Sequence, residues 1–573
     1  MGKMTAGMAL VKTMEEWGID HVYGMPGDSI NNVVEQLRKE ESNVQFIQVR
    51  HEETASLAAA AYTKMTGKIG VCLSIAGPGA VHLLNGMYDA KMDGVPMLVL
   101  AGQVESSTLG RQYFQEIKLE SIFEDVSVYN QQITSAESLP DVVNQAIRTA
   151  YAKKGPAVLI IPDDIPTHKI EKETNNTSNA YSIPHIFPEE RKLRMALEKI
   201  ENSKRPVVLA GFGARFARQE LKRFSETFGA PVIVTLPGKG ALPDTDLSNL
   251  GNLGRLGTKP AYEAMEETDL LIMIGTNYPY RDYLPPNAEA IQIDLKPEVI
   301  GNRYPVNLGL IGDSRGILAW FNQHGKPTTN RTFLEACRKN MQNWWKQIEK
   351  EESNTSTPIQ PEAVMPYIQK YADPNAVLSV DVGEVTVWTT RHFRAVNHTF
   401  AFSSWLATMG CGLPGAIAAK IAYPNRQAIA ICGDGGFAMV MQDFITAVKY
   451  DLPITVIILN NDMLGMIKSE QAVKGHLEYA VDLQDFNFAK FAESCGGVGF
   501  RVEKYEELEG AFSMAKRAGR PVIIDVRVQE KPPLPGKILL PEAIGYSKTA
   551  MKKFFTEGSF DMPPLKKSIS RLL

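Results

Sequence analysis

Three well-separated stretches of the chain follow one plan, and that repetition limits the folds open to it. Residues 70–102 (GVCLSIAGPGAVHLLNGMYDAKMDGVPMLVLAG), 206–235 (PVVLAGFGARFARQELKRFSETFGAPVIVT) and 427–459 (QAIAICGDGGFAMVMQDFITAVKYDLPITVIIL) each read as strand, Gly-rich turn, helix, short turn with Pro, and strand. The turn glycine and the proline before the second strand are 19, 20 and 20 residues apart (Gly77 to Pro96, Gly211 to Pro231, Gly433 to Pro453). Short apolar runs flanking a helical pattern mark parallel strands buried on both faces. The expectation is an α/β protein with three doubly wound parallel-sheet domains.

Composition places the joints. The stretches 171–190 and 350–362 are polar and rich in Pro, Asn, Ser and Thr, which divides the chain at about 1–180, 186–338 and 355–532, with a tail at 536–573. A length of 573 residues is too great for one core, and a net charge of −4 argues against a general nucleic-acid binder. Five scattered cysteines without a CxxC pair read as reduced intracellular thiols. The N-terminus lacks a signal-peptide core, and no run reaches the 18 or so apolar residues of a spanning helix. A cytoplasmic chain is expected, at most peripheral on the inner face of the cell membrane.

The third repeat carries an aspartate between glycines, Gly433-Asp434-Gly435, directly after an apolar strand, and Asn460-Asn461 follows the next strand. Asp434 and Asn461 are 27 residues apart, which puts both at the carboxyl ends of adjacent parallel strands, where such sheets collect ligands. A carboxylate, an amide oxygen and a nearby carbonyl suit Mg²⁺, which completes its shell with substrate phosphates and water. Glycines admit a phosphate close to the backbone, and the helix start favours its charge. The competing reading is a turn aspartate that merely caps a helix.

With these residues in place, the chain resembles the thiamine diphosphate- and FAD-dependent pyruvate oxidases, including the pyruvate:quinone oxidoreductase branch, with acetolactate synthase a close relative. RHEETASLAAAAYTKMTG (50–67), GPGAVHLLNG (77–86), FQEI (114–117), ATMGCGLPGAIAAK (407–420) and NNDMLGMIKSEQ (460–471) carry the likeness along essentially the whole chain. It implies a pyrimidine-binding first domain, an FAD-binding central domain and a diphosphate-binding third domain. Glu52 takes the place of the glutamate that hydrogen-bonds the cofactor's pyrimidine, and Met409 that of the bulky residue under its bend. The metal ligands carried over are Asp434, Asn461 and the carbonyl of Met463. Further thiamine diphosphate contacts fall on Gly383, Glu384, Ala407, Thr408, Gly433, Gly435 and Gly436. The family builds its site between two subunits, so a homodimer is the least unit and a homotetramer the usual one.

The loops GFGAR (211–215), TLPGKGALPD (235–244), NLGNLGRLG (249–257), GTNYPYRDY (275–283) and QIDLKP (292–297) resemble the flavin-binding loops of pyruvate oxidases. That assigns FAD to Gly211, Gly213, Ala214, Arg215, Thr235, Lys239, Gly254, Gly275, Thr276, Asn277, Tyr278, Asp294 and Asp313. Around pyruvate the resemblance places His82, Phe114, Gln115, Ile467 and Glu470; the last two follow the oxidase pattern rather than the tryptophan-bearing one of acetolactate synthases. The implied reaction is decarboxylation of pyruvate through hydroxyethyl-thiamine diphosphate, with electrons passing to FAD. The acceptor is either a membrane quinone, giving acetate, or oxygen with phosphate, giving acetyl phosphate. Acetolactate synthesis and a cofactor-loaded silent protein remain alternatives, the latter disfavoured by an intact Glu52.

The tail bears on the acceptor. Residues 531–573 hold eight Lys/Arg and three Asp/Glu. Leu540, Ile544, Met551, Phe554 and Phe555 share one helical face, with Lys552 and Lys553 off it, and PPLKKSISRLL (563–573) repeats the design. A basic amphipathic helix suits an anionic lipid surface, so membrane quinone is the expected partner; the alternative is a tail packed on its own catalytic body.

Overall fold

The computed structural model describes residues 4–39, 41–171, 178–182, 185–533 and 540–557. Three six-stranded sheets account for the three repeats. The first holds β1 (His21–Gly24), β2 (Gln45–Gln48), β3 (Gly70–Ser74), β4 (Met97–Gln103), β5 (Tyr129–Gln132) and β6 (Pro156–Pro162) in the order β2-β1-β3-β4-β6-β5. The central sheet holds β7 (Pro206–Ala210), β8 (Val232–Val234), β9 (Asn249–Asn252), β10 (Leu270–Ile274), β11 (Glu289–Asp294) and β12 (Leu308–Ile311) in the order β9-β8-β7-β10-β11-β12. The third holds β13 (Val377–Val380), β14 (Thr399–Ala401), β15 (Ala428–Gly433), β16 (Ile454–Asn460), β17 (Val498–Val502) and β18 (Val522–Arg527) in the order β14-β13-β15-β16-β18-β17. All pairings within these sheets are parallel.

The strands of each repeat are direct neighbours, Gly70 opposite Met97, Val208 opposite Val232 and Ala428 opposite Ile454. The sheets are nevertheless of two kinds. Counting strands within each domain, the outer two share the order 2-1-3-4-6-5, whereas the central one runs 3-2-1-4-5-6, the order of dinucleotide-binding folds. A two-residue antiparallel pairing of Met4–Thr5 with Lys169–Ile170 ties the first domain's ends together.

Seven helices matter for the site: α1 (Glu52–Thr66), α2 (Leu84–Asp93), α3 (Thr332–Glu352), α4 (Glu384–His392), α5 (Gly412–Ala422), α6 (Gly465–Val473) and α7 (Leu540–Glu557). Helix α1 starts where the His51 side chain accepts the Glu53 amide and stops at Gly67, whose φ of 74° closes it on the Thr63 carbonyl. Its alanines, Ala55 and Ala58 to Ala61, are buried in one apolar cluster with Leu413, Ala416 and Ile417 of α5. Small side chains on both helices let the first and third domains share a core. Helix α3 runs through the interval between the central and third domains. All five cysteines are free thiols, and none of the described helices is long and apolar enough to cross a membrane.

Candidate active site

In the third domain β15 ends at Gly433 and a short helix begins at Asp434, which is only 5% exposed. Burial pushes its carboxyl up to about 6, against the pull of the turn amides and Arg527. The adjacent β16 delivers Asn461 to the same edge. Its Oδ1 accepts the Met463 amide at 3.2 Å, and its Nδ2 donates to Glu384 Oε2 at 3.3 Å. Burial, with Glu530 and Asp434 nearby, raises the Glu384 carboxyl to about 8. A Cβ on Gly435 would fill the hollow between Leu464, Leu483 and the Met409 methyl, the last at 3.4 Å. Carboxyls held up by burial, hard oxygen donors and a glycine-floored hollow fit a magnesium-bound diphosphate. A cavity of about 580 Å³ continues past Glu384 and Gly465, lined by Trp344, Trp388 and Lys468.

Met409 lies on a segment in an unusual conformation. Ala407 has φ 56° and Gly410 φ 88°; the former is costly for a residue with a Cβ. Gly410 and Gly412 donate their amides to the two oxygens of the fully buried Asp381 at 2.9 and 3.1 Å. Thr408 receives Asn85 Nδ2 of α2 at 2.8 Å.

In the first domain Glu52 opens α1 and is 6% exposed. Its Oε2 lies 2.9 Å from His82 Nδ1, and the His82 ring stacks on His51 with centroids 4.4 Å apart. Gly79 brings the turn after β3 against the same carboxylate: a Cβ there would lie 2.8 Å from Glu52 Oε1. Gly77 (φ 65°) packs on the Gln115 backbone, and Gln115 itself has φ 61°. Phe114 is 73% exposed. Among the described residues no hydrogen bond or ion pair joins Glu52 to the Asp434 group.

The central domain gathers its assigned loops at the carboxyl edge of β7, β8 and β10. Gly211 and Gly213 pack so tightly on Gly275 (φ 58°) that a side chain at any of them would strike backbone. Beside them the Thr235 Oγ1, the Asn277 Oδ1 and the Tyr278 hydroxyl are buried with no partner, as are both side-chain polar atoms of Asn252. So many orphaned groups at one sheet edge fit a bound polar ligand, since buried polar atoms are otherwise almost always satisfied. Burial raises the Asp294 carboxyl, which caps the Lys296 amide at 2.9 Å. Gly254 (φ 86°) lies against the Tyr278 hydroxyl, and Ala214 is fully buried. Arg215, pulled down to about 10 by burial, donates to the Phe400 carbonyl at 3.2 Å. Lys239 is buried in an ion pair with Asp244 at 2.8 Å, and Asp313 caps the helix after it through the amides of Arg315 and Gly316.

Helix α6 presents Ile467, 44% exposed, and Glu470, which lies 3.4 Å from Arg255 of the central domain. Arg255 also reaches Glu542 of α7 at 3.6 Å. Helix α7 docks on α6 through Gly545 and Thr549; Thr549 Oγ1 donates to the Ala472 carbonyl at 2.8 Å and Lys552 to the Gly475 carbonyl at 2.7 Å. Ile544 and Met551, two of the residues assigned to the lipid-facing side, point outward at 49% and 55% exposure. The side chains of Leu540, Phe554 and Phe555, and the whole of 563–573, lie outside the described residues.

Sequence reasoning passed over Asn252, because its signal was submerged in the repetitive NLGNLGRLG, and over Lys64, which composition assigns to solvent.

Comparison with known proteins agrees with this geometry. Residues 4–122 match the N-terminal thiamine pyrophosphate-binding domain of thiamine pyrophosphate enzymes, 193–320 their central domain and 381–526 their C-terminal thiamine pyrophosphate-binding domain. The chain is 57% identical over its full length, and that of the relative, to the Bacillus subtilis protein YdaP, whose name marks it as thiamine pyrophosphate-containing. It is 37% identical to the pyruvate oxidase of Lactiplantibacillus plantarum, over 93% of this chain and 90% of the relative. Against the acetolactate synthase large subunit of Haemophilus influenzae the identity is 31%, over 92% and 95%. With a buried carboxylate at Glu52, oxygen donors at Asp434 and Asn461, and all three domains matched in order, the chain belongs to the thiamine pyrophosphate enzyme family.

Proposed function

We propose that this protein decarboxylates pyruvate oxidatively, passing the electrons to FAD and then to a membrane quinone, with acetate and CO₂ as products. Thiamine diphosphate, when bound, would supply the nucleophilic carbon and the electron sink that decarboxylation of a 2-oxo acid needs. The chain's residues do the rest. The Asp434 carboxylate, Asn461 Oδ1 and the Met463 carbonyl would hold Mg²⁺ and through it the diphosphate, and Met409, beside the Gly435 hollow, would orient the cofactor. Glu52 holds a proton at the pyrimidine ring, and His82 at 2.9 Å orients its carboxylate.

The central domain carries the flavin part of this reading: its strand order and its orphaned Thr235, Asn252, Asn277 and Tyr278 groups support a bound dinucleotide. FAD satisfies both. Ile467 and Glu470, in the oxidase pattern on α6, support oxidation over acetolactate synthesis. A site completed by a second copy is part of this reading, and a homotetramer would hold two such pairs. Exposed Val81 and Phe114 beside Glu52, and Met439 beside the Asp434 turn, are surfaces such a copy would cover.

Anaerobic pyruvate should bleach the bound flavin, and quinone in anionic liposomes should restore its colour. Acetolactate without net bleaching would replace the reading with a synthase, and neither product nor bleaching with a silent protein. A second reading, oxygen with phosphate as acceptor, is favoured by the docking of α7 on α6. Acetyl phosphate and peroxide formed faster than quinone is reduced would establish it.

A further inference from the structure

At the far end of α1 from Glu52, a lysine is buried. Lys64 is 4% exposed and its ammonium meets Asp89 Oδ2 at 2.5 Å and Asp93 Oδ2 at 2.6 Å, both on α2. Burial works against its charge, but the two carboxylates win and hold the ammonium above its ordinary range. A lysine and two acids taken out of water are a costly way to join two helices of one domain. The trio's remaining bonds show where it is directed, because all of them go to one segment of the third domain.

Lys64 Nζ donates to the Phe402 carbonyl at 2.9 Å. Asp93 accepts the amides of Ser404 at 3.2 Å and Trp405 at 3.1 Å. Ser403 lies beside the buried Asp89 carboxyl and favours its charged form. Ser403 Oγ in turn accepts the Thr408 amide at 3.0 Å. These contacts fix four consecutive residues, 402 to 405, directly ahead of Ala407, whose positive φ persists only if its surroundings impose it. Asp381 holds Gly410 and Gly412 on the other side, and Arg303 of the central domain lies over the Trp405 ring at 5.9 Å. Segment 402–412 is thus anchored from three domains, and Met409 lies inside it.

We propose that Lys64, Asp89 and Asp93 form a positioning device that sets the backbone of residues 402–408 and, through it, the place of the Met409 side chain above the Gly435 hollow. The device reaches the cofactor only through Met409, so it rests on the reading that Met409 meets thiamine diphosphate. It also makes α1 a two-ended element, with the Glu52 base at its start and the grip on the Met409 segment twelve residues on.

The test uses the full-length chain with Asp93→Asn, which keeps the Lys64–Asp89 pair, and Lys64→Met. Hydrogen exchange of the 402–409 amides, measured without cofactor, should quicken roughly tenfold or more in both, while the β3 and β4 amides stay protected. In the loaded enzyme, kcat should fall more than tenfold with the KM for pyruvate little changed, and the circular-dichroism band of bound thiamine diphosphate should shift, since displacing a reacting group by about 1 Å costs up to 10²-fold. FAD content should be unaltered. Unchanged exchange at 402–409 in Asp93→Asn would overturn the proposal, as would faster exchange with kcat and the cofactor band intact. Met409→Ala separates the two readings: an unaltered cofactor band there defeats the role of Met409, whereas the exchange result judges the anchor alone.

Discussion

Replacing Gly79 by alanine should slow catalysis about 15-fold while leaving the fold as stable as before. The added Cβ would lie 2.8 Å from Glu52 Oε1 and 3.0 Å from Ile75 Cγ1. Ordinary contact begins near 3.4 Å, so the carboxylate must retreat by about 0.6 Å. If a 1 Å misplacement costs around 10²-fold, that retreat costs about 15-fold, or about 1.6 kcal/mol of activation free energy. Stability should not suffer in proportion, because Gly79 sits in the short helix Pro78–His82, where alanine is preferred over glycine by up to about 1 kcal/mol. The assay is the rate at which the C2 hydrogen of bound thiamine diphosphate exchanges with D₂O, alongside thermal unfolding. Glu52→Gln supplies the lower limit, a loss of about 10²–10⁴-fold. Gly86→Ala is the contrasting case: its Cβ would meet the backbone nitrogen of Leu57, so the damage should appear in unfolding. Wild-type exchange in a fully loaded Gly79→Ala enzyme would refute the placement of Glu52 as the base.

Mg²⁺ with thiamine diphosphate should bind more weakly below pH 6, by about tenfold per pH unit, with measurable proton release, because the Asp434 carboxyl at about 6 must ionise to ligate. The same shift has a stability sign. A carboxyl raised above its ordinary 3.8 binds its proton more tightly in the folded state, so the cofactor-free protein should lose stability as pH rises from about 4 to 6, and the cation should reverse this. Titration calorimetry in buffers of different ionisation enthalpy, and melting curves across that range, check both. Asn252→Leu should lose FAD affinity with little effect on thiamine diphosphate, measured by equilibrium dialysis of each; equal loss of both would mean a folding defect. Removing residues after Pro535 should spare flavin reduction by pyruvate but abolish flotation with anionic liposomes and slow quinone reduction, since each Lys or Arg near such a surface adds about 1 kcal/mol. Equal flotation by full-length and truncated protein would reduce the tail to a packing element.

The repeats made three parallel sheets legible, but they concealed that the central sheet differs from its neighbours. Each repeat spans two adjacent strands, which pair alike in either topology; the order diverges only in connections that carry no such pattern. Asp434 and Asn461 were legible because both close a strand at the same edge. Lys64 was not, since its partners lie 25, 29 and 338 residues away and nothing local marks a lysine for burial. In the tail the amphipathic pattern was plain, yet the docked face is the small one: Gly545 lets α7 approach the Val473 carbonyl more closely than any Cβ would allow. Hydropathy weighs apolar side chains and overlooks such closeness.

The burial of α1 on every side has a consequence for synthesis of the chain. The alanine face that α5 covers emerges from the ribosome early, whereas Gly412–Ala422 follows about 350 residues later. At roughly 5–20 residues per second that interval is roughly 20–70 s. Once Lys169–Ile170 has emerged, its pairing with Met4–Thr5 closes the first domain at its ends, yet the domain still lacks the helix that covers α1. The nascent chain therefore carries an uncovered apolar surface with Lys64 at its margin, and a chaperone that binds alanine-rich helices would find its target there until the third domain arrives.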